Sequence, residues 1–265
     1  MVNEEYCVKI INDALNVCGR YKPKFGKGDK EGVTLDQFHE LYSADAFYSW
    51  FGLNSPQLYA AHRTAGGLTS IYRQIGLAME KIFRYILQEQ LNLQPEDCHW
   101  RYSLPGSTRV LKLDGRIEVE LLKKREIKKR VEQWIDRATA IIGLRERQIP
   151  FRGIVFECRQ GYKSKDAKRQ NADLDNATSI IGNNYLPCIA LFSQQIDSVV
   201  TERYVQHHWL LLKGTLNGTA HDSIYIFSRE ILQYDLAEFF ERNTKRFVQK
   251  MNVVLEKLLQ TERSR

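Results

Sequence analysis

Two acids and a cation raise the first chemical question. Residues 154–174 read IVFECRQGYKSKDAKRQNADL: an apolar run with Glu157 in its middle and Arg159 two positions on, followed by Lys163, Lys165, Lys168 and Arg169. Strand periodicity puts Val155, Glu157 and Arg159 on one side and Ile154, Phe156 and Cys158 on the other. An isolated ionised carboxylate in a buried strand is costly. Glu157 therefore needs a partner, which is either Arg159 in an ion pair at a sheet edge or a metal ion shared with a second acid. Asp114, in VLKLDGRIEVEL, supplies that second acid. Hard cations such as Mg²⁺ take carboxylate oxygens and water, with backbone carbonyls completing the shell. A side-chain cation two residues past the second acid can orient an attacking water or steady a pentavalent phosphate. Asp114 also admits a plainer reading, since Asp-Gly between alternating apolar residues signals a hairpin corner. The two readings are compatible, and Glu118 and Glu120 are nearby alternatives.

The elements that must position these residues follow from periodicity. The first ~95 residues read as a helical N-terminal lobe. Within it, Tyr6 to Val17 is a short amphipathic segment, KPKFGKGDKEG a basic loop, and TLDQFHELYSADAFYSWFG a helix capped by Thr34. In GGLTSIYRQIGLAMEKIFRYILQEQL, apolar residues from Ile71 to Leu87 recur at helical spacing, while Arg73, Gly76, Glu80 and Arg84 share another face. Residues 96–265 read as an α/β core with a C-terminal helix, in one continuous globule with the lobe. TRVLKLDGRIEVELL alternates as a strand, REIKKRVEQWIDRATAIIG is a helix stopped by Gly143, and FRGIVFECRQG is a strand. DLDNATSIIG reads as a helix, YLPCIALFS as a buried strand, QIDSVVTERYVQHHWLLL mostly as helix, and DSIYIFS as a further strand. The chain closes in REILQYDLAEFFERNTKRFVQKMNVVLEKLLQ, a helix with a break near Tyr234-Asp235. Its apolar stripe (Leu236, Phe240, Phe247, Met251, Val254, Leu258) packs into the core or forms a dimer seam.

Composition narrows the classes. The formal charge of +7 leans toward a polyanionic partner without proving one. Cys7, Cys18, Cys98, Cys158 and Cys188 are scattered and form no C-x-x-C pair, which argues against a disulfide framework and fits a reducing cytosol. The amino end does not read as a signal peptide, and the longest apolar runs are too short to span a bilayer. No phosphate-binding Gly-Lys loop, H-E-x-x-H pair or G-x-S-x-G elbow is present, and His207-His208 reads as a helix face.

Asp114 followed by Glu157-Cys158-Arg159, on strands around a helix, resembles the PD-(D/E)XK nuclease superfamily. The longer wording GGLTSIYRQIG…E, LDGRI, FECRQGYKSKDAKRQNADL, YLPCIALFSQQID…ERY and YDLAEFFERN, in this order, is similar to a group of bacterial type II restriction endonucleases. The resemblance runs from about residue 65 to 247 and implies a mixed-sheet, restriction endonuclease-like core. It further implies Mg²⁺-dependent hydrolysis of phosphodiester bonds in double-stranded DNA by a homodimer at a short palindrome, of the GGNCC kind. A cognate DNA methyltransferase is then expected in the same system, in the cytoplasm of a bacterium or archaeon. Carried over by position, Asp114 and Glu157 become metal ligands, the Cys158 carbonyl a third, and Arg159 stands where the superfamily has lysine.

Arginine stays protonated and cannot act as a general base, but its fixed fork of donors can stabilise the phosphorane or orient water. Lys163 or Lys165, just past Gly161, can instead fold back to supply the lysine. Leu113 precedes Asp114 where the superfamily has proline. Glu80 matches an extra helix-borne acid near the metals, or else forms an exposed i,i+4 pair with Arg84. Arg73 shares its face and can meet a phosphate. GYKSKDAKRQNAD is a solvated loop and helix start, or a DNA-contacting segment in which Tyr162, Lys165, Lys168, Arg169, Gln170 and Asn171 meet phosphates and base edges. Two other classes stay open. One is a structure-selective or repair nuclease with the same metal centre, and the other a non-catalytic DNA-binding protein with a degenerate site.

Overall fold

A central strand, β4 (Gly153–Arg159), carries the Glu157 segment, and its neighbours explain why so apolar a run tolerates charge. In the computed structural model the described residues are 1–25, 32–103, 108, 110–161 and 167–259, the side chains of 167–172 excepted. Strands β3 (Gly115–Glu118), β4, β5 (Tyr185–Leu191) and β6 (Leu210–Leu212) form a mixed sheet in that order. β3 runs antiparallel to β4, whereas β4–β5 and β5–β6 are parallel. β1 (Trp100–Ser103) and β2 (Val110–Leu113) form a separate antiparallel pair. Every residue of β5 is buried, as a strand covered on both faces requires. The protein is thus a mixed α/β structure.

The helices are α1 (Glu4–Cys18), α2 (Leu35–Ser43), α3 (Ala46–Trp50), α4 (Pro56–Leu91), α5 (Arg125–Ile141), α6 (Ala167–Gly182), α7 (Ser198–Gln206), α8 (Ile224–Glu230) and α9 (Leu236–Leu259). The chain divides into two compact units, Met1–Glu4 with Met79–Glu241 and Glu5–Ala78 with Arg242–Arg265. Residue 95 falls inside the first of these, and the C-terminal helix from Arg242 onward groups with residues 5–78.

In the first unit the sheet separates two layers. Phe83 of α4 meets Phe156 edge-on at 5.0 Å, Phe156 meets Phe227 of α8, and Phe227 meets Trp134 of α5. The other face gathers Val155 with Leu174, Ala177 and Ile180 of α6 and with Val200, Tyr204 and Trp209. Alternation along β4 is therefore as expected, with Phe156 on one layer and Val155 on the other. In the second unit Thr34 caps α2 through a capping box with Gln37, and Asp45 caps α3, so the expected single helix is two. Phe38, which is fully buried, and Tyr59 anchor a small core there.

Two stretches depart from periodicity. DSIYIFS forms α8 instead of a strand. The Ser223 hydroxyl accepts from the N–H groups of Tyr225 and Ile226, and Ile224, Ile226 and Phe227 are all buried. Burial on several sides removes the two-faced contrast that would have marked the helix. The segment after His207-His208 is β6, not a continued helix. α7 ends at Gln206, His208 takes a left-handed φ of 61°, and Leu210–Leu212 pair with Cys188–Ala190. The break before α9 lies where expected, between Glu230 and Leu236.

Gly153 is fixed by contact. A Cβ there would lie 2.1 Å from the Ile117 carbonyl oxygen of β3. Gly153→Ala should destabilise the protein by about 1–3 kcal/mol in urea unfolding. Gly182→Ala, with nothing within 4 Å of its added Cβ, should stay within about 0.5 kcal/mol of wild type.

Candidate active site

Asp114 is not a hairpin corner. β2 pairs with β1 and β3 with β4, so Asp114 sits at a bend joining two strands that do not pair with each other. Its backbone N–H donates to the Phe156 carbonyl at 3.0 Å, and its Oδ2 accepts from the Cys158 N–H at 2.9 Å. The carboxylate thus takes the place of a ladder carbonyl just beyond the Gly115–Phe156 pair. That seats it beside the carboxyl-terminal end of β4, where Glu157 and Arg159 lie.

Arg159 organises the site. Its guanidinium pairs with Glu157, donates to Asp173 Oδ1 of α6 at 3.1 Å, and stands 3.9 Å from Asp114 Oδ2. It also donates to the Cys158 carbonyl at 3.2 Å. Glu157 and Asp173 are 6% and 4% exposed, so these are desolvated contacts. Asp173 is held in turn by the Tyr204 hydroxyl of α7, which donates to Oδ2 at 2.6 Å. The Glu157–Arg159 pair expected from sequence is present, but β4 lies between β3 and β5, so it is not at a sheet edge. Asp173 and Tyr204 lie in stretches that carry the sequence resemblance, but the sequence assigns neither a role of its own, because their link to Arg159 spans separate elements.

Glu80 reaches the same cluster. Arg84 donates from one nitrogen to Glu80 Oε1 at 2.6 Å and to the Asp114 carbonyl at 2.9 Å. Their side chains are 24% and 14% exposed, so this is not the solvated surface pair that i,i+4 spacing alone suggests. Burial and the Glu80 carboxylate push the Asp114 carboxyl above its ordinary pKa, against the Cys158 N–H, Arg159 and Arg84, which lower it. Burial and the adjoining acids also raise the Cys158 thiol far up, which makes it a packing residue, not a nucleophile.

Glu80, Asp114, Glu157 and Asp173 gather around the guanidiniums of Arg84 and Arg159. Carboxylates meeting at one point are the ligand type that a hard divalent cation takes. Among the described residues no three of His, Cys, Asp and Glu form a metal cage by themselves. Mg²⁺ does not need one, since it commonly keeps several waters and takes one or two carboxylates.

Glu118 is a different case. It accepts two hydrogen bonds from Arg152, at 2.9 and 3.1 Å, and another from the Tyr185 hydroxyl, at the far end of β3 from Asp114. Burial and that hydrogen bond push the Tyr185 phenol up to about 12. This closed set leaves little for a ligand, and Glu120 is exposed. Arg73 lies in the other compact unit. Tyr162, Lys163 and Lys165 lie outside the described residues, and Lys168, Arg169, Gln170 and Asn171 occupy the start of α6 without described side chains. All five cysteines are buried and free, and among the described residues no helix is long and apolar enough to cross a membrane.

Comparison with family models, with curated proteins and with solved structures finds no match to this chain.

Tyr204→Phe removes a hydrogen bond to a buried carboxylate and should cost about 1.5–3 kcal/mol in urea unfolding. Tyr185 tests the other cluster. Because its folded pKa is raised to about 12 from 10.0, the unfolded chain loses a proton that the folded chain keeps, and stability falls as pH rises through that window. The decline in unfolding free energy above pH 10 should be shallower in Tyr185→Phe.

Proposed function

We propose that the chain is a Mg²⁺-dependent, sequence-specific DNA endonuclease of the type II restriction kind, with a PD-(D/E)XK core. The observation that carries this reading is the meeting of Asp114 and Glu157 around one guanidinium, where burial and the Glu80 carboxylate raise the Asp114 carboxyl. The mixed sheet, with one acid on β4 and the other at the bend that leads into the neighbouring β3, agrees with the core that the sequence resemblance implies.

Asp114 and Glu157 would hold the metal, with the Cys158 carbonyl as a third donor. Bound there, Mg²⁺ supplies charge neutralisation at the scissile phosphate and a more acidic water. The chain's own groups do the rest. The Cys158 N–H and Arg84 fix the carboxylate and backbone of Asp114. Asp173 and Tyr204 fix Arg159, whose positive charge can stabilise the phosphate oxygens as negative charge builds during attack. Arg159 stays protonated throughout, so the proton lost by the attacking water passes to solvent or to another group. The reading carries with it a homodimer acting at a short palindrome and a cognate methyltransferase that protects the same sites.

A second reading has one observation in its favour. Arg159 already pairs with Glu157, as a permanent cation would in a DNA-binding protein that cuts nothing.

Digestion of long, unmethylated phage DNA separates the two. In Mg²⁺ the native chain should give discrete bands, and EDTA should abolish them. Glu157→Gln and Asp114→Asn should each reduce cutting by roughly a hundredfold or more, with circular dichroism unchanged. Tight duplex binding without cleavage would select the second reading, and a smear would remove sequence choice from the first.

A further inference from the structure

A cleft in the other compact unit has the chemistry of a phosphate-binding surface, and nothing in the Asp114 site uses it. Arg20, Lys22, Lys24 and Arg73 line a depression of about 650 Å³. All four are exposed, and among the described residues no carboxylate lines the cleft with them and none of the four forms an ion pair. Several exposed cations along one groove give it a positive potential that attracts a polyanion.

The backbone builds the cleft deliberately. α1 ends at Cys18, and the chain from Arg20 to Lys24 then crosses α4. Gly66 leaves room for the Tyr21 side chain of that segment, because a Cβ there would lie 2.1 Å from the Tyr21 hydroxyl. At Gly67, the Leu258 side chain of α9 would lie 2.6 Å from an added Cβ. The Gly-Gly pair thus lets two segments sit directly on the helix. Beyond it, Thr69, Ser70 and Arg73 follow Gly66 at three, four and seven residues along α4, so they form one stripe beside the crossing chain. Hydroxyls interleaved with cations are the donors that phosphate oxygens take.

We propose that this cleft binds the phosphate backbone of duplex DNA, without reading its sequence. The inference rests on the DNA reading of the Asp114–Glu157 site and adds a second contact surface to it. The cations lie along an open groove, not around an enclosed hole, which suits a chain of phosphates better than a single small anion.

The test is the salt dependence of binding. The full chain would be titrated onto a fluorescent duplex in EDTA, where nothing is cut, over about 50 to 300 mM KCl. The triple variant Arg20→Ala/Lys22→Ala/Arg73→Ala should lower the slope of log K against log salt by about 2.7, at roughly 0.9 for each lost phosphate contact. The loss should be equal for duplexes with and without the cut site, because phosphate contacts carry no sequence information. Lys123→Ala/Lys124→Ala/Lys129→Ala, which removes the same charge from exposed positions in the other unit, serves as the control and should leave the slope near wild type. Equal slopes for the two triple variants would overturn the proposal while leaving the nuclease reading intact. A wild-type chain that shows no salt-dependent duplex binding would overturn both.

Discussion

One desolvated guanidinium sets the terms for the rest of the site. Arg159 leaves water at a cost of several kcal/mol, and so do the carboxylates around it. The arrangement is tolerable only because each charge finds a partner, Glu157 from the same strand, Asp173 from α6 and Asp114 from the bend before β3. Three elements are therefore tied together at one point by charge, and Tyr204 adds a fourth by satisfying the second oxygen of Asp173. Removing one member takes a partner from a buried ion, which is an expensive change in low dielectric.

The two buried carboxylate clusters on β3 and β4 differ in a way that bears on function. Glu118 is closed off by Arg152 and Tyr185, and its one negative charge faces one guanidinium. The Asp114 cluster instead gathers four carboxylates around two guanidiniums, and the Asp114 carboxyl is raised there, by burial first and by Glu80 second. It places these acids beside the carboxyl ends of parallel strands, where α/β sheets commonly place their ligands.

Much of the scaffold was legible in the sequence. α1, α4, α5 and the strands β4 and β5 follow from local periodicity, because one face of each must be buried whatever it packs against. The misreadings share a cause. Ile224, Ile226 and Phe227 are buried on several sides, so the segment shows no contrast between faces and its β-branched residues suggest a strand. Trp209 to Leu212 continue a helical pattern by composition, yet the left-handed turn at His208 redirects them into the sheet beside β5. Asp114-Gly115 carries a hairpin signature, but the pairing of β2 and β3 with different partners overrides it.

The sequence by itself determined the fold class, the alternation of β4 and the identity of three charged residues at the site: Asp114, Glu157 and Arg159. These are properties of residue type and short spacing, which neighbouring positions specify. Only the tertiary structure decided that Asp114 would accept the Cys158 N–H from 44 residues away, that Arg84 would bridge Glu80 to the Asp114 carbonyl, and that Asp173 and Tyr204 would clamp Arg159. The physical reason is that a buried ion is satisfied by whichever donors and acceptors the packing of separate elements brings within about 3 Å. That choice depends on strand register and on the seating of helices against the sheet, which no single stretch of the chain specifies.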